Sequence, residues 1–352
     1  MDRHSFQPEN VLITRLSAIG DCITTIPLAV DVKRLWPECK ITWIVDCGAS
    51  ALLERHSAVD RVIRITKKWL KHPKKWSDIR SQLKACKIDL ALDPQGLTKS
   101  SMLGWLSGAR VRIGFDRSHG RELAPWFSTD RVTRTHRHMV DTYRELLAPW
   151  QEPAAGTGEF QMPIYATEAE RMDKTLAALS LGPSWAAMNV GAGWSTKLWP
   201  AARFAETARG LLRRHRMKSI VMWAGDKELA VAEEVVSAAQ GSAVLGPSTS
   251  LPELAELLRR AELMISSDTG PAHLCAAVGT PCVGLFGPTW GDECGPYGSI
   301  HRVVQSIVMP RLNKPQRKGR AEAMEAITVE EVLDACAEVL GSIEARRRAA
   351  AA

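Results

Sequence analysis

The chain has 352 residues, 45% of them hydrophobic and 24% charged, a globular composition long enough for two domains with separate cores. No apolar run approaches the roughly 18 to 20 residues that span a bilayer, and the opening MDRHSFQPENV is too polar for a signal peptide. A cytosolic protein is therefore expected rather than a periplasmic binding protein; the net charge of +7 suits an anionic partner, and eight scattered cysteines without a CxxC pair argue against a zinc site or a disulfide framework.

Apolar runs and amphipathic stretches alternate from end to end, the pattern of parallel βαβ units rather than hairpins. The first strand is expected at residues 11–16 and turns through Leu16-Ser17-Ala18-Ile19-Gly20-Asp21 into a helix over 21–36, which Pro37 ends. Asp21 has two readings. It is a helix N-cap, or a general base that takes its proton late, since a helix N-terminus favours the ionised carboxylate. Further strands are expected at 40–46, 88–93 and 111–114, with helices over 73–86, 98–106 and 138–149. Arg61, Arg64, Lys67, Lys68, Lys71, Lys74 and Lys75 share one segment with Trp69 and Trp76. That mixture suits a surface meeting anionic lipid head groups, or a solvated loop and helix face. Nucleic acid is disfavoured, because no helix-turn-helix, zinc-finger or RNA-binding signature accompanies the charge.

The turn-rich QEPAAGTGEF at 151–160 is the expected interdomain linker. A second series follows, with helices over 167–180, 201–215, 227–239 and 252–260 and strands at 185–189, 219–223, 261–265 and 282–286. The turn after its first strand contains GAGWST, which echoes a dinucleotide fingerprint but lacks the third glycine. It reads better as a phosphate cradle: backbone N–H groups of the Gly191-Ala192-Gly193 turn, the Ser195 and Thr196 hydroxyls, and Lys197 as a point charge. In the block from Ser266 to Gly298, Asp268 is expected to cap a helix that begins at Thr269-Gly270, with Pro271 in its first turn and His273 just beyond. Such a helix aims unpaired N–H groups out of a strand's carboxyl edge, where a phosphate sits in open α/β sheets. A final helix is expected over 328–340, after a basic mobile stretch at 311–320 and before a disordered tail at 346–352. No Asp-x-Asp or His/Asp cluster has metal-ligand spacing, so the charge of a departing pyrophosphate falls to Lys197, His273 and helix N-termini without a metal.

These motifs, in order and at matching spacing, resemble the ADP-heptose:lipopolysaccharide heptosyltransferases of glycosyltransferase family 9, over about residues 11–340. RLSAIGDCITTIPLA is similar to the family's N-terminal signature, GAGWSTKLWP to its sugar-nucleotide loop, and SSDTGPAHLCAAVGTPCVGLFGPT to its most specific block. The resemblance implies an α/β fold of GT-B type, two Rossmann-like parallel-sheet domains facing a central cleft. Residues 1–155 would bind the acceptor and 156–345 the ADP-sugar donor, with the last helix returning to the first domain. It implies an inverting, metal-independent transferase that needs no cofactor, ADP-L-glycero-β-D-manno-heptose being the donor substrate.

Carried over residue by residue, Asp21 matches the proposed catalytic base and Lys197 the phosphate-binding lysine of the Gly191, Ala192, Gly193, Ser195, Thr196 loop. Asp268, Thr269, Gly270 and His273 match the block around heptose and diphosphate, Asp226 the place of a ribose-binding glutamate, and Thr249 and Ser250 the adenine pocket. DPQGLTKS and Gly120-Arg121-Glu122 resemble the family's heptosyltransferase I branch, which adds the first heptose to the Kdo of Kdo2-lipid A, although Pro125 stands three residues after Glu122 where relatives often have Arg-Glu-Pro. Ser17, Gly20, Lys99, Arg117 and Arg121 are then acceptor contacts, and the implied location is the cytoplasmic face of the inner membrane, held peripherally. Within the family the alternatives are heptosyltransferase II and a protein O-heptosyltransferase. Outside enzymes, the alternative is a non-catalytic sugar-nucleotide-binding module, against which Asp21, Lys197 and His273 argue.

Overall fold

The computed structural model describes residues 6–311, 317 and 321–351, which form two compact units, Met1–Pro163 and Ile164–Ala352. The division falls eight residues beyond the expected boundary, because 156–163 stay with the first unit: His56 Nε2 bonds the Phe160 carbonyl at 2.8 Å.

The first unit holds one parallel sheet of β1 (Asn10–Thr14), β2 (Lys40–Val45), β3 (Arg61–Arg64), β4 (Leu90–Leu92), β5 (Val111–Phe115) and β6 (Asp130–Val132). Their order is β3-β2-β1-β4-β5-β6. Val11, Leu12 and Ile13 of β1 are fully buried, as expected of a parallel strand covered on both faces. Leu12 lies opposite Thr42 of β2 and Ala91 of β4, and packs with Ile44, Ile63, Trp69, Leu83 and Leu103 in one core.

Trp69 therefore does not face lipid. It is buried, and Trp76 stacks on it at 5.5 Å and donates from Nε1 to the Leu70 carbonyl at 3.1 Å. Covering the β2–β3 face claims both indoles. Lys67, Lys68, Lys71 and Lys74 are left exposed on a solvated surface, with Trp76 half-buried against Trp69.

The second unit repeats the plan with β7 (Trp185–Asn189), β8 (Lys218–Met222), β9 (Ala243–Leu245), β10 (Leu263–Ser267), β11 (Cys282–Leu285) and β12 (Arg302–Val304), ordered β12-β11-β10-β7-β8-β9. In both sheets the first strand lies beside the fourth, β1 by β4 and β7 by β10, so connections leave in opposite directions and open a crevice at the carboxyl ends. The last helix, Val329–Ala351, packs on the helix Ala201–His215 and on β11 and β12 of its own unit. It includes 346–351, expected as disordered: Arg347 pairs with Glu262 at 2.9 Å and Arg348 with Glu344 at 3.4 Å along an alanine-rich stretch. The basic stretch expected to be mobile lies, apart from Arg311 and Arg317, outside the described residues. Among the described residues no helix is long and apolar enough to cross a membrane.

Candidate functional site

In the first unit the loops after β1, β4 and β5 meet at the β1/β4 crevice. The buried Asp93 carboxylate ties the first two together: Oδ1 accepts from Thr14 Oγ1 at 3.1 Å and from the Gln95 and Gly96 N–H groups at 3.2 Å, and Oδ2 from Ser101. Burial raises the Asp93 pKa above its ordinary value even against these donors. Gln95 in turn accepts the Leu16 N–H at 2.8 Å, which pins the β1 loop.

From that loop the helix Ile19–Leu35 starts. Its N-cap is Ala18, not Asp21; Asp21 is the third helical residue and accepts the Ala18 N–H through Oδ2 at 3.0 Å, the reciprocal half of a capping box. Its other oxygen meets Arg15 Nη2 at 2.7 Å, and the Asp21 side chain stays 46% exposed. Arg15 is fully enclosed, over the Tyr143 ring at 4.8 Å and donating to the Pro94 carbonyl at 3.2 Å. Burial works against the Arg15 charge, yet Asp21 and Tyr143 outweigh it and hold the pKa above the ordinary arginine value. The product is an oriented, half-exposed carboxylate on a permanent cation, suited to accept a proton from a bound hydroxyl.

Ser17 and Gly20 share this loop, half-buried and buried. Lys99 opens the helix Thr98–Ser107 and lies 3.7 Å from buried Asp46. Arg117 donates to the Glu122 carbonyl at 2.8 Å, and the exposed Arg121 gives its backbone N–H to Gly96 at 2.8 Å. Burial, then Arg15, Arg134 and Arg121, push His119 down to about 3, so it stands there as neutral imidazole.

In the second unit the loops after β7 and β10 are joined through Asn189, whose amide lies 3.1 Å from the Gly191 carbonyl and 3.2 Å from both Ser266 Oγ and Thr269 Oγ1. Lys197 closes a short 3-10 turn, Ser195–Lys197, and is buried. Its Nζ meets Asp268 Oδ2 at 2.5 Å and lies over the Trp194 ring at 4.1 Å, where the Arg317 guanidinium also stands at 4.8 Å. Asp268 also accepts Thr289 Oγ1 at 2.8 Å, with His273 Nε2 at 3.6 Å. Burial works to raise the Asp268 pKa, but His273 and Lys197 outweigh it and hold the carboxyl far below the usual range.

Asp268 is therefore not the expected N-cap. Thr269 takes that position for the helix Gly270–Ala277, without a side-chain cap bond, because the buried ammonium claims the carboxylate. Gly193 and Ser195 are exposed, Ala192 half-buried and Thr196 buried, so the loop offers open backbone and a hydroxyl beside the lysine.

Asp226 is exposed at the start of the helix Gly225–Ala238. Glu228, about half a turn later, faces this loop: it accepts the Ala224 N–H at 2.8 Å, and a Cβ on Gly191 would overlap its carboxylate. Burial raises the Glu228 pKa. The signal for it was the glycine itself, since a turn needing no side chain at 191 marks a close approach. Thr249 is half-buried, and Ser250 is occupied as the N-cap of Leu251–Arg260, exchanging bonds with Glu253. Among the described residues no three His, Cys, Asp or Glu side chains converge as metal ligands.

Residues 76–323 match the family model described as glycosyltransferase family 9 (heptosyltransferase). Lipopolysaccharide heptosyltransferase 1 of Pseudomonas aeruginosa is 29% identical over 297 residues, covering 82% of this chain and 81% of that protein. Among solved structures, E. coli heptosyltransferase WaaC with ADP superposes with a TM-score of 0.75 at 26% identity, covering 94% of this chain and 99% of that one. The same enzyme with ADP-2-deoxy-2-fluoro heptose gives 0.72 at 26% identity, with the same coverage of 94% and 99%.

Proposed function

Since this chain belongs to glycosyltransferase family 9, the heptosyltransferases, we propose that it moves heptose from ADP-L-glycero-β-D-manno-heptose to a Kdo residue of Kdo2-lipid A, in lipopolysaccharide core synthesis at the cytoplasmic face of the inner membrane. The observation that carries the donor half is the buried Lys197–Asp268 pair at the mouth of the helix Gly270–Ala277, beside the exposed Gly193 and Ser195. Asp268 and Trp194 hold the ammonium in place, and the helix start and the exposed Ser195 hydroxyl add donors for a diphosphate. The relatives named lipopolysaccharide heptosyltransferase 1, and the solved complex with an ADP-heptose analogue, support the choice of donor.

The reaction is read as a single inverting displacement. The acceptor oxygen bonds to the anomeric carbon as the bond from that carbon to the ADP oxygen breaks; the hydroxyl proton passes to Asp21, and the charge left on ADP is met by Lys197, His273 and the helix start, with no metal required. In the acceptor half, Lys99, Arg117 and Arg121 supply cations for the carboxylates and phosphates of a Kdo glycolipid.

Glu228, facing the Gly191 turn, is read as the acceptor for the ribose hydroxyls of ADP in place of Asp226. Glu228→Gln is expected to weaken ADP binding about tenfold or more, the range for a hydrogen bond to a charged group, while Asp226→Asn stays within about twofold. Calorimetric titration with ADP checks this; the reverse ranking would return the contact to Asp226.

The whole reading is tested by incubating the protein with ADP-heptose and Kdo2-lipid A and weighing the product. A gain of one heptose with release of ADP is expected. Transfer only to an already heptosylated core, or only to a protein, would move the chain to another branch, and binding of ADP-heptose with no release of ADP would make it a binding module.

A further inference from the structure

The first unit exposes an aromatic surface that the donor and acceptor chemistry leaves unused. Trp105 is 53% exposed, Leu123 57% and Trp126 76%. They form one patch: the Trp105 ring packs on Phe127 at 6.3 Å, and Leu123, Trp126 and Phe127 are nearly consecutive, at and just before the short helix Ala124–Phe127. Two indoles held in water are costly for a soluble surface, and indole is the side chain that favours a membrane–water boundary.

The charge around the patch is predominantly positive. Between residues 108 and 137 seven arginines stand against three carboxylates. Arg117 donates to the Glu122 carbonyl at 2.8 Å and Arg131 to the Pro125 carbonyl at 2.9 Å; both partners are neutral, so the guanidinium charge is positioned but not cancelled by them. The patch also runs into the candidate acceptor loop, because the Leu123 N–H donates to Thr98 Oγ1 at 3.1 Å and Thr98 begins the helix that carries both Lys99 and Trp105.

We propose that Trp105, Leu123 and Trp126, with Arg117, Arg121 and Arg131 beside them, are the surface by which this protein docks on an anionic phospholipid bilayer. The inference deepens the proposed function, resting on its lipid-anchored acceptor: a glycolipid whose chains stay in the bilayer presents its sugar at the height of the head groups, and this surface holds the Thr98–Lys99 loop there. It also relocates the membrane contact from the basic segment at 61–76, whose tryptophans are turned inward.

The vesicle-binding measurement needs neither donor nor acceptor. The full chain and the variant W105Q/W126Q are sedimented with vesicles of phosphatidylethanolamine and phosphatidylglycerol, and with vesicles of phosphatidylcholine alone. The parent is expected to bind the anionic vesicles, with indole emission shifting to the blue, and the neutral ones far more weakly; the variant is expected to lose tenfold or more of the anionic binding while keeping its ADP affinity and its transfer to a water-soluble Kdo acceptor. Equal binding by variant and parent would overturn the proposal. So would a parent that ignores anionic vesicles, or a parent dimer that the two substitutions dissolve, which would assign the patch to a second copy of the chain. If transfer to Kdo fails but vesicle binding behaves as described, the acceptor reading falls and the docking surface stands.

Discussion

Replacing Asp21 by alanine is expected to lower transfer by about 10²–10⁴-fold, the range for a positioned general base, while ADP affinity and fold are kept. The fold is expected to survive because the Asp21 side chain is 46% exposed, its bond to Ala18 serves only the first turn of one helix, and Arg15 keeps the Pro94 carbonyl and the Tyr143 ring as partners. ADP affinity is expected to survive because Asp21 belongs to the first unit and the lysine–aspartate pair to the second. Asp21→Asn is the sharper variant: it keeps the size and one acceptor oxygen of the side chain and removes the capacity to hold the acceptor proton. Turnover of Asp21→Asn within about tenfold of the parent, measured as ADP release in the presence of acceptor, would remove Asp21 from the proton transfer.

Lys197→Ala carries the second large effect, on stability and binding together. It leaves Asp268 as a buried carboxylate beside His273 and Thr289 without its lysine, and breaking a buried pair in this way costs about 3–5 kcal/mol. Hydrogen exchange of second-unit amides is the suitable measure, because two units need not unfold as one. The paired variant Lys197→Met, Asp268→Asn is expected to recover most of that stability and none of the ADP affinity, which separates folding from binding. A paired variant that binds ADP like the parent would show that the diphosphate is held elsewhere.

The same pair sets a pH dependence. The folded Asp268 carboxyl lies below its unfolded value, so its stabilising contribution is fully present above the ordinary carboxylate pKa, about 4, and is lost as pH falls below that. The parent is thus expected to lose stability on acidification more steeply than the paired variant.

How much of this was legible depends on where each residue sits. The central strands announced themselves: NVLIT, LAL and LMISS lie between other strands, are covered on both faces, and read as apolar runs. The strands that the sequence hid, RVIR, DRV, AVL and RVV, are the edges of the two sheets, where a strand with one free side can be only three or four residues long, too short for a period to show, and three of the four carry charged residues. In the site, positions along the chain were readable and partners were not. Asp268 stood where an N-cap stands, and only the burial of Lys197 beside it redirects the carboxylate. Trp69 and Trp76 looked like an interface because basic residues surround them in sequence, whereas the sheet face beneath them supplies the stronger demand. Arg15 was the hidden functional side chain, a charge at the end of an apolar strand whose enclosure makes sense once Asp21 is placed over it.

The contact between Gly191 and Glu228 also bears on how the chain can change over time. A Cβ at 191 would overlap the Glu228 carboxylate where it stands, so 191 can leave glycine only if the end of that flexible side chain turns away or is shortened, whereas 228 can change while 191 stays glycine. Across homologues the two sites are expected to covary, with glycine retained at 191 wherever 228 carries a long acid, and alanine or serine admitted at 191 only in lineages that have shortened or turned away the residue at 228.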